Sequence, residues 1–489
     1  MTSTLTSADE VHEPTEQSVR AGAIVFVLAF AGITAALMQT LVVPLIGDLP
    51  LLLDTSASNA SWIITATLLT AAVATPVSGR LGDLYGKRRI MLICSVVLVV
   101  GSVVCALSDT VVPMVLGRGL QGIGMGIVPL GISAMRDVLP AEKLGTSIAL
   151  MSASMGVGGA LGLPLAAFVA QHTDWRVLFW GSAGLAAIIT ALIAALVPAV
   201  APMAKGRFDF PGALGLGSGL VCLLLGVSKG ADWGWTSPET LGCLIGAVVL
   251  FVLWGWWELR AGDPLVDLRV TARPVVLLTN AASVVVGFAM YAQSLILPQL
   301  LQLPEATGFG LGQSMIAMGL WMLPGGVMMM AVSPVGAKLS AIRSPKITLA
   351  VGSAVVSAGY VLSIFLMGTT VGVLVSVMVI CSGIGLAYGA MPALIMGSVP
   401  VSETGSANSF NTLMRSVGTS VAGAVVGVVL AHMTHDIGGI SMPSEGGFQT
   451  GLLFGAGAAA IAAVIALAIP GKASHEAEAH IEHPELETA

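Results

Sequence analysis

Long apolar runs broken by short polar punctuation make up almost the whole chain. Runs of the ~20 residues that cross a bilayer fall at about 22–46, 59–78, 90–108, 112–133, 146–170, 177–199, 210–229, 239–258, 274–302, 312–333, 347–367, 371–397, 405–431 and 450–469. The runs are continuous rather than alternating, which predicts transmembrane helices and excludes a β-barrel. Fourteen spans put both chain ends on one side of the membrane.

Lysine and arginine sort by side under that assignment. Sixteen lie with the N-terminus: Arg20, Arg80, Lys87, Arg88, Arg89, Arg136, Lys143, Lys205, Arg207, Arg260, Arg269, Arg273, Lys338, Arg343, Lys346 and Lys472. Two, Arg176 and Lys229, lie opposite, and Arg118 and Arg415 fall within spans. Cations collect on the cytoplasmic side, so the expectation is a multi-pass protein of the cytoplasmic membrane with both termini cytoplasmic. An error of one span would scramble the sorting.

Composition agrees: 56% hydrophobic, 9% charged, and a mean hydropathy of +0.94, far outside the soluble range. The net charge of −6 says little about the bundle, because nine acids sit in the two tails. Residues 1–21 and 471–489 are read as solvated, disordered cytoplasmic flanks. The acidic leader lacks a basic n-region, which speaks against a cleaved signal peptide. The five cysteines lie in apolar runs without paired spacing and read as small hydrophobes.

The chain also repeats itself. Pro76–Leu81 returns as Pro334–Leu339, about 258 residues on; Pro140–Gly145 returns as Pro400–Gly405, about 260 on; Gly122-Ile123-Gly124 returns as Gly383-Ile384-Gly385, about 261 on. Three near-equal shifts predict two six-helix halves, 22–200 and 263–470. The two transmembrane helices at 201–262 have no partner in the repeat. Parallel repeats around a midplane cavity describe an alternating-access transporter.

The densest polar stretch is Gly79-Arg80-Leu81-Gly82-Asp83-Leu84-Tyr85-Gly86-Lys87-Arg88-Arg89, a turn that must lie at a membrane surface. It resembles the loop between helices 2 and 3 of the major facilitator superfamily. Arg118-Gly119-Leu120-Gln121-Gly122-Ile123-Gly124 resembles that superfamily's helix 4 motif. Asp209-Phe210-Pro211-Gly212, Gly234-Trp235 and Pro264-Leu265-Val266-Asp267-Leu268 resemble its fourteen-helix drug:proton antiporter branch. The resemblance implies the major facilitator fold, efflux of drugs or antibiotics, and coupling to protons. Two positions depart from the branch. Met38 stands where the first helix has an acid. The helix 5 motif is partly kept, as Gly162-Leu163-Pro164 followed by Ala166-Ala167.

The resemblance makes Gly79, Arg80, Asp83, Gly86, Lys87 and Arg88 a conformational switch. Asp83 would cap the helix that begins near Glu403–Gly405, where the helix dipole favours an anion. The second copy carries Ala341 at that place, so the latch is one-sided. Arg118 and Arg415 are the intramembrane charges. Arg118 is read as either satisfied by carbonyls and Gln121 or, preferably, biasing the cavity by lowering the pKa of a nearby acid or by binding an anionic substrate group; Arg415 is read as either snorkelling to the cytoplasmic end or functional. Gln121, Gly122, Gly158, Gly162 and Pro164 form the helix 4 and 5 motifs, close-packing or kinkable. Candidate cavity residues are Gln39, Thr40, Asn280, Tyr291, Gln293, Met318, Trp321, Asn408 and Asn411, a roomy amphipathic set.

No strand precedes the glycine runs, and Gly86-Lys87 lacks the rest of a P-loop, so no nucleotide site is read. No nucleophile–base–acid set argues for an enzyme. No cofactor, metal or nucleic-acid partner is expected, His475, His480 and His483 being read as a solvated tail. The expectation is a monomeric secondary transporter in the lipid bilayer that exports hydrophobic or amphipathic small molecules, with protons as coupling ion. The alternatives are an exporter of an anionic or lipid-like metabolite, and a non-transporting membrane receptor.

Overall fold

The computed structural model describes residues 16–45, 49–202, 204–437 and 440–470. The acidic tails and the histidines at 475, 480 and 483 lie outside the described residues, apart from the start of the first helix. Fourteen helices there are long and apolar enough to cross a membrane. They are α1 (Glu16–Thr40), α2 (Ala57–Tyr85), α3 (Lys87–Ala106), α4 (Val111–Val138), α5 (Ala141–His172), α6 (Arg176–Leu196) and α7 (Phe210–Trp233). Then come α8 (Pro238–Glu258), α9 (Pro274–Gln302), α10 (Met315–Ile342), α11 (Pro345–Leu366), α12 (Thr370–Ser398), α13 (Thr404–His432) and α14 (Glu445–Ala468).

The polar punctuation between runs doubles as helix caps. The side chains of Ser56, Asp209, Ser237, Ser314, Thr369 and Ser444 each accept a backbone N–H from the first turn of the helix that follows. Proline opens α7, α8, α9 and α11, where a missing N–H is harmless. The helix 4 glycine run interrupts α4 between Gly124 and Ile127. There Gly126 backs onto Ser78 of α2 so closely that an added Cβ would sit 2.6 Å from Ser78 Cβ.

One apolar core gathers α9–α12 and α14, and a second gathers α1 and α3–α6. The inserted helices α7 and α8 pack on each other and join the bundle through Leu216, Leu220 and Leu224. That cluster reaches Ala72 on α2 and Phe410 and Leu413 on α13, one helix from each half.

Three details differ from the sequence reading. The stretch Gly79–Arg89 is hardly a turn, because α2 runs helically through Tyr85 and α3 starts at Lys87. Only Gly86 separates them, at φ +97°, a left-handed value natural to glycine. The tenth span continues past residue 333 to Ile342, carrying Pro334 inside the helix. Finally, the segment after α13 forms a short antiparallel hairpin, β1 (Thr434–Ile437) with β2 (Ile440–Pro443).

Candidate functional site

At the basic end of the bundle, α2 meets α13 almost backbone to backbone. A Cβ on Gly79 would lie 2.6 Å from Ser409 Cβ, and one on Gly405 would lie 2.8 Å from the Gly79 carbonyl. Glycine on both helices permits the approach. That approach brings Asp83, only 3% exposed, under the first turn of α13. Its two oxygens accept the backbone N–H groups of Gly405 at 2.9 Å and Ser406 at 2.7 Å. These are orphan donors of a helix N-terminus, the place where a carboxylate is most favoured.

A second layer surrounds this cap. Lys87 Nζ lies 4.0 Å from Asp83, pairs with Asp137 of α4 at 2.8 Å, and donates to Thr404 Oγ1 at 2.9 Å. Ser133 of α4 donates to the same Thr404 hydroxyl at 2.9 Å. Arg136 donates to the carbonyl of Met396 at the end of α12, and Asn408 donates to Pro129 O at 3.0 Å. Arg88 instead turns to the Ala194 carbonyl of α6 at 2.6 Å. Arg80 is buried, with Nε unpartnered among the described residues. Asp83, Lys87 and Gly79 therefore converge on α13, Gly86 sets the α2–α3 junction, and Arg88 serves the first helices alone.

Asp137, Ser133 and Ser406 go unmarked in the sequence, where Arg136 counts only as a basic-side cation and Thr404 only as part of the repeat and of the helix start near Glu403–Gly405. The adjacent pair Arg136-Asp137 at the end of an apolar run was the available signal. Gly405 tests the closeness of the contact. A Cβ there would stand 2.5 Å from Asp83 Oδ1, so Gly405→Ala must move the carboxylate off its N–H partners. Transport by that variant in proteoliposomes is expected to fall at least about tenfold, roughly the loss of one charge-assisted hydrogen bond, with membrane insertion unchanged.

The two intramembrane arginines have different surroundings. Arg118, 2% exposed, donates to Met38 O at 3.0 Å, to Ile63 O at 3.4 Å and to Gln121 Oε1 at 2.6 Å. Gln121 passes the chain on to Ser102 at 2.8 Å. Arg118 thus brackets α1, α2 and α4. Arg415 does not snorkel: it is 5% exposed, its guanidinium lies 4.3 Å from the Tyr388 ring centroid, and it donates to Thr412 Oγ1 at 3.3 Å. The helix carries it inward because it is the twelfth residue of α13, about 16 Å from the basic end at 1.5 Å per residue.

The motif glycines are contact points. Gly122 faces Thr67 and Ala71 of α2, and Gly158 lies against Ile33 of α1. Gly162 faces Leu37 and Thr40 of α1, while Pro164 packs on Gly319 of α10. The cavity candidates divide into groups. Asn411 donates to Asn280 at 2.9 Å and to Ser283 at 2.7 Å, with Asn408 one turn below on the same helix. Gln293 reaches Cys381 at 3.3 Å, and Tyr291 borders Gly423. Gln39 and Thr40 end α1, Met318 is buried near the start of α10, and Trp321 donates to Gln313 at 3.0 Å. A separate, mostly apolar groove of about 670 Å³ is lined by α1 and α5, with Met330 of α10.

The family model of the Major Facilitator Superfamily matches residues 28–423. The chain belongs to that superfamily. An uncharacterized MFS-type transporter of Mycobacterium tuberculosis is 30% identical over 424 residues, covering 86% of this chain and 61% of that relative. This chain thus spans about three fifths of that relative's length. The tetracenomycin C resistance and export protein of Streptomyces glaucescens is 28% identical over 391 residues, covering 79% of this chain and 71% of its own. In three dimensions the chain is similar to the proton:xylose symporter XylE, with a TM-score of 0.64 at 13% identity, covering 93% and 97% of the two chains. That likeness establishes the fold: all-α, polytopic, of the major facilitator type. Members of the superfamily are transporters rather than enzymes.

Proposed function

We propose that this chain is a secondary active transporter of the cytoplasmic membrane that exports hydrophobic or amphipathic small molecules. Its two halves, 22–200 and 263–470, rock about a central site, and the inserted helices at 201–262 brace α2 against α13. Both termini and the Gly79–Arg89 end face the cytoplasm, and the molecule works as a monomer. Protons supply the drive. The observation that carries the reading is the Asp83 cap, which with the Lys87, Ser133, Arg136 and Asn408 contacts joins the halves at the basic end by a few strong polar bonds. Such a contact is made in one state and broken in the other, which is what a two-state rocking device needs. Similarity to named resistance and export proteins supports the outward direction.

Purified protein in proteoliposomes with an imposed pH gradient tests it. A cationic dye and an anionic amphiphile are followed separately. Gradient-driven dye movement at several times the rate of protein-free vesicles is expected. Dye that moves equally with and without the gradient removes proton coupling, and movement of neither probe removes the transport reading.

A further inference from the structure

The lower part of α9, α12 and α13 encloses an unusual number of unsatisfied polar atoms. Among the described residues, Arg415 Nη1, Asn411 Oδ1, Asn280 Nδ2 and Asn408 Oδ1 are all buried without a hydrogen-bond partner. Buried polar groups are nearly always paired, and an unmet donor on a charged group is among the most expensive to leave so. Arg118 makes the contrast, since its donors reach two carbonyls and an amide.

The geometry around Arg415 is that of a prepared binding group. The Tyr388 ring lies 4.3 Å from the guanidinium carbon, a cation–π contact that steadies the charge without using its N–H donors. Gly287 of α9 makes room for its stem: a Cβ there would come within 3.1 Å of Arg415 Cγ. Asn408, Thr412, Arg415 and Thr419 fall at i, i+4, i+7 and i+11, so they form one polar stripe along α13. The stripe's basic end touches Pro129 of α4 through Asn408, which aims the stripe at the crevice between the halves. Arg415 stands two turns above that closure. The described residues offer it no ion pair.

We propose that Arg415 anchors a substrate subsite between α9, α12 and α13 that takes the carboxylate of an otherwise apolar small molecule. A guanidinium edge matches a planar carboxylate with two parallel hydrogen bonds. One unpaired cation balances a monoanion; a phosphate dianion would bring a second buried charge with nothing opposite it. Asn411 and Asn280, one turn below, hold the adjoining polar edge. Transport of the bound acid rests on the reading above; its binding does not.

Nanodisc-embedded wild type, Arg415→Gln and Arg415→Lys decide the matter with pyrenebutyrate and its methyl ester, corrected for partition into empty nanodiscs. Wild type is expected to bind the acid at least about tenfold more tightly than the ester, the worth of one charged hydrogen-bonded contact. Arg415→Gln loses that preference while its ester affinity stays, which also shows that it is folded. Arg415→Lys keeps part of it. A wild type indifferent to the charge, or an Arg415→Gln that keeps the preference, overturns the proposal. Should Arg415→Gln bind neither probe, Arg415→Lys decides: reduced preference supports the site and full preference overturns it. Arg415-dependent binding without gradient-driven flux sinks the transport reading alone, and flux without acid preference sinks the subsite alone.

Discussion

Asp83→Asn is expected to abolish transport while leaving the protein inserted and folded. The carboxylate accepts two backbone N–H groups of α13 at 2.9 and 2.7 Å, in a setting only 3% exposed. An amide of the same shape keeps one acceptor oxygen and turns a donor toward the second N–H. It also removes the negative charge from the helix N-terminus, worth about 0.3–1 kcal/mol at exposed sites and up to about 2 kcal/mol when partly buried. Adding one charged hydrogen bond at about 1.5–3 kcal/mol gives a loss on the order of 3 kcal/mol. Most of that loss belongs to the contact between α2 and α13, Lys87 at 4.0 Å being the neighbour within the first half, so the two-state balance moves up to about a hundredfold toward the open basic end. A cysteine placed at Ser409, shielded under Gly79 in this state, should become several times more reactive in the variant. Wild-type flux by Asp83→Asn would remove the switch role. Lost flux with unchanged Ser409→Cys labelling would place the defect elsewhere.

Much of the fold was legible because a bilayer leaves few options. Continuous apolar runs of span length must be helices, and the sorting of Arg80, Lys87–Arg89, Arg136 and Lys143 against Arg176 and Lys229 held the span count in register. The fourteen helices follow those runs closely. The Asp83 cap was less legible. Asp83 and its target near Gly405 could be paired from a resemblance and the chemistry of helix ends. Asp137 could not be found that way, because a carboxylate at the end of an apolar run reads as solvated until Lys87 is placed beside it. The snorkelling reading of Arg415 fails for a related reason. Counting from the end of an apolar run does not show that Tyr388, on another helix, lies over its guanidinium. Contacts between helices depend on rotation about each axis, and hydropathy in an almost wholly apolar span fixes that rotation poorly. The weak polar stripe on α13 carried the information, but only contact with α4 and α9 says which way it faces.

Arg118→Leu is expected to damage the fold, not the choice of substrate. Met38, whose carbonyl accepts from Arg118, lies in the last turn of α1, where carbonyls lack an intrahelical partner. Arg118 therefore caps the C-terminus of α1 with a cation, the favourable sign for that end of a helix dipole. It also ties Ile63 of α2 and holds Gln121 toward Ser102 of α3. Leucine fills part of the space and satisfies none of these acceptors. Losing hydrogen bonds from a charged donor at about 1.5–3 kcal/mol each implies a loss on the order of 3–5 kcal/mol. The melting temperature in detergent should drop by several degrees and the yield of monodisperse protein should fall. Flux per folded molecule and the ratio of acid to ester binding should stay near wild type. Arg118→Lys should recover little, because a point charge on a straight stem cannot reach Met38, Ile63 and Gln121 together. The opposite pattern would contradict the bracket: wild-type melting with selective loss of the acid would show Arg118 meeting the ligand. The two arginines inside the spans thus carry opposite signatures: Arg118, whose donors reach α1, α2 and Gln121, holds helices together, and Arg415, with Nη1 free, is the one proposed to meet an anion.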